Sequence, residues 1–110
     1  DLRDEGLVGA LGLTNVDAAH LELALESGLQ LVSNQVCYSL LDRRPARALA
    51  PLCEERGVRL LAYGTLAGGF LSERWLARPD PGLGGLTTWS QLKYYRFIAQ
   101  AGGWARFQRL

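Results

Sequence analysis

The chain has 110 residues, enough for one small domain, and its 48% hydrophobic and 21% charged residues are ordinary for a soluble globular protein. A formal net charge of +1 gives no electrostatic case for a nucleic-acid or membrane-surface partner. No apolar run approaches the roughly 20 residues of a spanning helix. We therefore expect neither a nucleic-acid nor a membrane partner.

Residues that could hold a metal or form disulfides are scarce. Cys37 and Cys53 are too few for a disulfide framework and lack the spacing of a metal motif. His20 is the single histidine, so we expect no structural zinc site, and we expect His20 itself at the surface. We expect both cysteines to be small buried apolar residues in a reducing compartment, the cytoplasm, and we expect no metal site.

Both ends of the sequence suggest a segment of something longer. The chain contains no methionine. Near its other end Trp104, Phe107 and Leu110 are spaced three apart, as in the apolar stripe of a helix that has only begun.

The first third of the chain alternates between strand and helix patterns. Residues 7–13 are mostly small or apolar and predict a strand. Asp17 is a good N-cap for a helix over residues 18–27, and Gly28 stands in the stop position. Residues 29–36 predict the next strand.

Polar residues stand where these two strands end. Thr14 and Asn15 close the first strand, and Ser33, Asn34 and Gln35 interrupt the second. Three adjacent polar residues in a strand suggest that its end faces a site.

A second helix is predicted before the third strand. Asp42 is a candidate N-cap with Pro45 in the first turn, and Gly57 ends the helix. Pro51 implies either a kink or a helix that starts only at Pro51. The repeating order of strand and helix predicts a parallel sheet with right-handed crossovers.

The stretch Arg59–Leu71 predicts a short strand followed by a glycine-rich loop. The apolar run over residues 60–62 is typical of a strand covered on both faces. Tyr63 stands at its carboxyl end, where parallel folds bind ligands. Glycines that allow close approach of a ligand follow: Gly64, Gly68 and Gly69.

Beyond Ser72 the pattern changes. A short helical turn is predicted over residues 73–77 and a loop over residues 79–85. Thr87 or Thr88 could cap a helix over residues 89–100. Its aromatic side chains are expected to pack it against the domain: Trp89, Tyr94 and Phe97.

Three segments together resemble the aldo-keto reductase family. They are Gly12–Asn15, Ser33–Leu41 and Leu61–Gly69, and their order and spacing also match. The resemblance covers nearly the whole chain. It implies an α/β fold that is part of a (β/α)8 TIM barrel, approximately strands five to seven with their helices, over residues 1–110. It also implies reduction of aldehydes or ketones with NADPH in the complete protein.

The resemblance also implies a cofactor site. Thr14, Asn15 and Gln35 match the family's residues that bind the nicotinamide carboxamide, and Tyr63 matches the aromatic residue that stacks on the nicotinamide ring. The loop from Gly64 to Gly69 would lie along the pyrophosphate, where its backbone N–H groups can receive phosphate oxygens. The loop residues assigned to the site are Gly64, Leu66 and Gly68.

The resemblance assigns no catalytic residue to this chain. The family's catalytic Asp, Tyr, Lys and His lie on the first four strands and their loops, which match no part of this sequence. The lone lysine, Lys93, is followed by Tyr94 and Tyr95, and we expect adjacent helical side chains to diverge. The chain alone is therefore expected to be inactive.

Other interpretations of the same residues remain open. Tyr63 could be a core aromatic residue, Asn15 and Gln35 could satisfy loop backbone, and the glycines could only make turns. A truncated, non-catalytic protein could dock on a partner through exposed barrel edges. A small standalone nucleotide-binding α/β domain is a third alternative. The sequence does not indicate the carbonyl substrate or the oligomeric state.

Overall fold

A computed structural model describes residues 2–110, so Asp1, which the predicted domain includes, lies outside the described residues. Contacts group the chain into two compact units. The first contains the chain through Tyr38 and the segment Arg43–Tyr63, and the second contains Ser39–Asp42 and Gly64–Leu110. Among residues 2–110, no helix is long and apolar enough to cross a membrane.

The first unit is a mixed α/β unit built on a small parallel sheet. Within the described chain the sheet has three strands in the order β1-β2-β3, and both pairs are parallel. This confirms the predicted strand–helix alternation and the parallel sheet. The elements are β1 Leu11–Thr14, α1 Ala18–Glu26, β2 Leu31–Cys37, α2 Leu49–Glu55 and β3 Arg59–Tyr63.

The pleat divides this sheet into two faces. Asn34 on β2 lies beside Leu13 and Leu60, and all three are at least half-buried. One residue further on, Gln35 lies beside Thr14 and Leu61, and all three are exposed. Because successive strand residues point to opposite faces, one face packs against the helices and the other is open.

The core of the first unit lies between the sheet and its helices. Leu21 of α1 is fully buried, and Leu13 and Leu60 pack against the same cluster. Cys37 and Cys53 are buried, as predicted, and neither forms a disulfide. Burial raises the pKa of the Cys53 thiol. The buried members of the cluster are Leu21, Val36, Leu49, Cys53 and Val58.

The helix α1 begins as predicted. The carboxylate of Asp17 accepts a hydrogen bond from the backbone N–H of His20 at 2.9 Å. This bond, followed by the side-chain bond to His20, lowers the pKa of Asp17. The imidazole Nδ1 lies 2.7 Å from Asp17 Oδ1, and the His20 side chain is 75% exposed, which confirms its predicted surface position.

The first strand is shorter than predicted. It was expected from residue 7, but β1 begins at Leu11. Leu11 pairs with Leu31, the first residue of β2, so the preceding residues have no β2 neighbour to pair with. The N–H groups of Leu7 and Val8 instead donate to the carbonyl of Leu2.

The third strand is not covered on both faces, so that prediction is wrong. Leu61 is 47% exposed, and Ala62 is exposed as well. In the described sheet β3 is an edge strand with β2 as its one neighbour. An apolar run alone cannot distinguish a strand covered twice from one whose second face lies open.

The second helix begins differently from its prediction. Asp42 is not its N-cap: a 3-10 turn spans Arg44–Ala46 after Arg43, and α2 begins later, at Leu49. Asp42 instead closes a turn with Ser39, whose Oγ accepts its N–H at 3.1 Å. Pro51 lies in the first turn of α2, where its missing N–H leaves no helical hydrogen bond unmade.

The second unit is helical and irregular. Its helices are α3 Trp89–Gln100 and α4 Trp104–Phe107, and short 3-10 turns span Ala67–Gly69, Glu73–Trp75 and Leu83–Gly85. The predicted turn after Ser72 and the predicted bounds of α3 are confirmed. Five aromatic rings form its centre: Phe70, Trp75, Tyr95, Trp104 and Phe107.

Helix α3 starts with a capping box. The Thr88 hydroxyl accepts the N–H of Gln91 at 3.1 Å, and the Gln91 side chain accepts the N–H of Thr88 at 3.3 Å. The predicted packing of Trp89 is wrong, because its side chain is 86% exposed. The buried face of α3 contains Gln91, Tyr94 and Ile98, and Trp89 lies outside that stripe.

Candidate cofactor site

Four of the predicted site residues lie at the carboxyl end of the sheet in the first unit. Thr14 is the last residue of β1, Gln35 lies beside it on β2, and Tyr63 is the last residue of β3. By the alternation of the strands, these three side chains share the open face. Asn15 follows β1 directly. The parallel sheet therefore brings together residues that are far apart in sequence.

Asn15 links the outer strands. Its backbone has a φ of 58°, in the left-handed region that non-glycine residues seldom adopt, although asparagine is among the more tolerant. Its N–H donates to the carbonyl of Gln35 at 2.8 Å. The Tyr63 hydroxyl donates to Asn15 Oδ1 at 2.8 Å, which joins the ends of β1 and β3 across β2.

The open end of the sheet offers polar groups of the kinds that a carboxamide needs. The Thr14 hydroxyl, the Gln35 amide and the Asn15 Nδ2 have no hydrogen-bond partner among residues 2–110, and all three residues are exposed. Tyr63 is half-buried, and its phenol is fixed by Asn15. A hydroxyl, two amides and a tethered flat ring can orient a planar ligand that carries an amide.

The predicted glycine loop belongs to the second unit. Gly64 and Gly68 have φ values of 68° and 66°, so both glycines are required by the backbone. A Cβ at Gly64 would lie 2.6 Å from Tyr94 Cζ and closer still to the hydroxyl oxygen. These glycines therefore allow the backbone of the loop to pack closely against α3.

The same loop retains backbone donors. Gly64 accepts the N–H of Ala67 at 2.8 Å, and Leu66 accepts the N–H of Gly69 at 2.9 Å. The N–H groups of Thr65 and Leu66 have no acceptor within the described chain. Two neighbouring N–H groups of this kind can receive an anionic oxygen.

The other titratable residues that the structure describes form no metal site. Among residues 2–110, no group of three His, Cys, Asp or Glu side chains could hold a metal. The Tyr95 hydroxyl donates to Asp80 Oδ1 at 2.7 Å, and that bond raises the pKa of Tyr95. A raised pKa makes a phenol a weaker proton donor.

The side chains of Lys93 and Tyr94 were predicted to diverge, but they are in contact. The Lys93 Nζ lies 5.0 Å from the centroid of the Tyr94 ring and 6.0 Å from that of Phe97. The long lysine side chain folds back over the rings as a cation–π contact. Contact with the ring does not by itself place the ammonium group against the phenol hydroxyl.

Sequence reasoning assigned no individual role to Asn34 and expected Tyr94 only to pack its helix against the domain. Asn34 was noted only as part of a polar trio, although strand alternation already separates it from Gln35. Asn34 is fully buried, and its Nδ2 donates to the carbonyl of Val16 at 2.8 Å. For Tyr94, no local pattern indicates that it packs against Gly64.

Known oxidoreductases are among the proteins to which this chain is similar. A model of the Aldo/keto reductase family matches residues 1–94. The chain is 39% identical over 72 residues to the NADH-specific methylglyoxal reductase of Escherichia coli, an alignment that covers 66% of this chain and 22% of that protein. It is 33% identical over 103 residues to flagellar radial spoke protein 5 of Chlamydomonas reinhardtii, which covers 92% of this chain and 19% of that protein.

An uncharacterized oxidoreductase of Mycobacterium bovis is 35% identical over 83 residues, covering 74% of this chain and 26% of that protein. The chain thus spans about a fifth to a quarter of the length of these relatives. The family match nonetheless extends over most of the described strands, helices and loops. The chain belongs to the aldo/keto reductase family.

Proposed function

We propose that this chain is the part of a carbonyl reductase that holds the nicotinamide end of a dinucleotide cofactor. In the complete protein the cofactor would deliver a hydride to a small aldehyde or ketone. The observation that carries the proposal is the group of Thr14, Asn15, Gln35 and Tyr63 at one end of a parallel sheet. Ligand sites of parallel α/β folds lie at that end.

The role of each residue follows from its chemistry. The Thr14 hydroxyl and the amides of Asn15 and Gln35 would orient the nicotinamide carboxamide. The ring of Tyr63 would support the nicotinamide, which presents one face for hydride transfer and protects the other. The loop residues Gly64, Leu66 and Gly68 are proposed to follow the pyrophosphate through backbone N–H groups.

The finer features of the proposal follow from the family. We propose that β1, β2 and β3 correspond to strands five, six and seven of a (β/α)8 barrel within one partial domain over residues 1–110. The proposed cofactor is NADP(H), and because the Escherichia coli relative is named NADH-specific, both dinucleotides need testing. Two buried cysteines that form no disulfide fit a reducing compartment, so we propose a cytoplasmic protein.

The proton donor of the reaction is not proposed for this chain. The resemblance places the family's catalytic Asp, Tyr, Lys and His on segments that match no part of this sequence. We therefore propose that the chain alone does not reduce carbonyls, and that the complete protein supplies the catalytic residues.

Replacing Tyr63 with alanine in the natural full-length protein is expected to weaken binding of NADH and NADPH by about tenfold, because the ring support is lost. Tyr63→Phe keeps the ring and loses only the hydroxyl bond to Asn15, so a smaller loss is expected. Fluorescence titration with each dinucleotide measures both. Unchanged affinity in Tyr63→Ala would refute the assignment.

A second, non-catalytic function is favoured by one relative and one surface. The alignment with the radial spoke protein covers more of this chain than that with the methylglyoxal reductase. The open sheet face also exposes Leu61. Such a face and its free strand edges could dock on a partner protein.

Sedimentation equilibrium of the 110-residue chain separates the two proposals. Docking through the sheet predicts a complex of fixed stoichiometry, and Leu61→Asp on the exposed face is expected to weaken it. The control is Val32→Asp, which replaces an exposed apolar residue of β2 on the opposite pleat. A cooperatively folded monomer would remove the reason for the docking proposal.

A further inference from the structure

Among the described residues of the first unit, Asn34 is the one fully buried polar side chain, at 0% exposure. It occupies the central strand on the helix-covered face, between Leu13 and Leu60. Its Nδ2 donates to the carbonyl of Val16 at 2.8 Å, whereas its Oδ1 is buried and has no donor among residues 2–110. Such an arrangement costs free energy that a leucine of similar size would not.

The orientation of the Asn34 amide follows from its partner. The carbonyl of Val16 can only accept a hydrogen bond, so the amide nitrogen of Asn34 must face it. The opposite orientation would place two oxygens against each other. The unpaired Oδ1 is therefore the consequence of supplying a donor to Val16.

The bond to Val16 holds the turn that carries Asn15, one of the predicted site residues. Strand β2 makes two hydrogen bonds to this turn. The carbonyl of Gln35 accepts the N–H of Asn15 at 2.8 Å, and the Asn34 side chain donates to the carbonyl of Val16. The backbone between these two fixed points includes the left-handed φ of Asn15. In that conformation the Asn15 side chain accepts the hydroxyl of Tyr63.

We infer that Asn34 is a positioning residue for the nicotinamide site, and that it acts through Val16 to hold Asn15 and, through Asn15, Tyr63. This inference rests on the proposed function. Asn34 itself lies on the opposite face from Gln35 and does not contact the ligand. An amide and a ring that are already held in position lose less conformational entropy when the cofactor binds.

The test is a pair of substitutions on the same face of β2 in the natural full-length protein. Asn34→Leu removes the donor to Val16, and Val36→Ala makes a cavity in the core cluster without touching that bond. We expect Asn34→Leu to raise the Kd for the nicotinamide dinucleotide about tenfold, and Val36→Ala to leave it within about twofold. Thermal unfolding of both variants shows whether the Kd follows stability.

Hydrogen exchange at the Asn15 N–H provides a readout that needs no cofactor. The exchange rate is expected to rise in Asn34→Leu and to remain near the wild-type value in Val36→Ala. Unchanged exchange and unchanged Kd in Asn34→Leu, or equal changes in both variants, would overturn the inference. A wild-type protein that binds neither NADH nor NADPH would instead refute the proposed function, and the exchange data would still decide whether Asn34 holds the turn. If the leucine prevents folding, Asn34→Ala makes the same comparison.

Discussion

Replacing Phe70 with alanine is expected to lower the free energy of unfolding by about 3–5 kcal/mol, the usual cost of removing a buried phenyl ring. Phe70 is 1% exposed, and its ring centroid lies 5.0 Å from that of Trp75 and 5.8 Å from that of Trp104. Tyr95 and Phe107 complete the cluster at 6.4 Å and 6.3 Å. Removing the Phe70 ring takes one contact from each of the other four rings, of which Trp104 still contacts the remaining three.

Trp89→Ala is the matched control for Phe70→Ala. It also removes a large aromatic side chain from the second unit, but Trp89 is 86% exposed. We expect its effect to stay within about 0.5 kcal/mol. Urea unfolding of the natural full-length protein, followed by circular dichroism, measures both variants. A loss below about 1 kcal/mol for Phe70→Ala would show that the ring cluster contributes little to stability.

Gly64→Ala is expected to destabilise the protein by about 2–5 kcal/mol, because two penalties combine. A left-handed backbone costs a residue with a Cβ about 1–2 kcal/mol, and Gly64 has a φ of 68°. The new methyl group would also collide with the phenol of Tyr94, and overpacking adds about 1–3 kcal/mol. Thermal unfolding gives the direction, and urea unfolding gives the magnitude.

Two further variants separate these penalties. Gly69 also has a left-handed φ, 90°, but a Cβ there would meet no atom within 4 Å. Gly69→Ala should therefore show the backbone penalty alone. Adding Tyr94→Phe to Gly64→Ala removes the closest clashing atom and should recover part of the overpacking penalty. If Gly64→Ala proves no worse than Gly69→Ala, the contact with Tyr94 is not as tight as the geometry indicates.

The sequence predicted helices correctly where the residues that start them are close by in the chain. The helix over residues 89–100 has the predicted bounds because Thr88 and Gln91 form its capping box at one end. Asp17 likewise caps α1. Asp42 has the same side-chain chemistry but is 96% removed from solvent in a turn with Ser39, so its environment, and not its type, decides its role.

Exposure depends on neighbours that a single sequence does not specify. Leu61 has the apolar character of a buried strand residue, yet no described element covers its face. Trp89 belongs to a correctly predicted helix but lies off its buried stripe. Type and periodicity therefore predicted where strands and helices form better than what covers them.

In the candidate site, too, the sequence predicted the positions of residues better than the contacts between them. Strand ends placed Thr14, Asn15 and Tyr63 at one edge, because parallel strands end together. The bond between Asn15 and Tyr63 joins residues 48 positions apart and depends on the exact register of β1, β2 and β3. No local pattern carries that information.

The order of the sheet has a consequence for synthesis on the ribosome. Each strand pairs with the strand that precedes it in the chain, so each can join the growing sheet soon after it leaves the exit tunnel. Pairing of near neighbours also keeps loop-closure entropy low. During translation the newest strand presents an unpaired edge and, in β3, the exposed Leu61. That edge is where a nascent-chain chaperone would have most reason to bind.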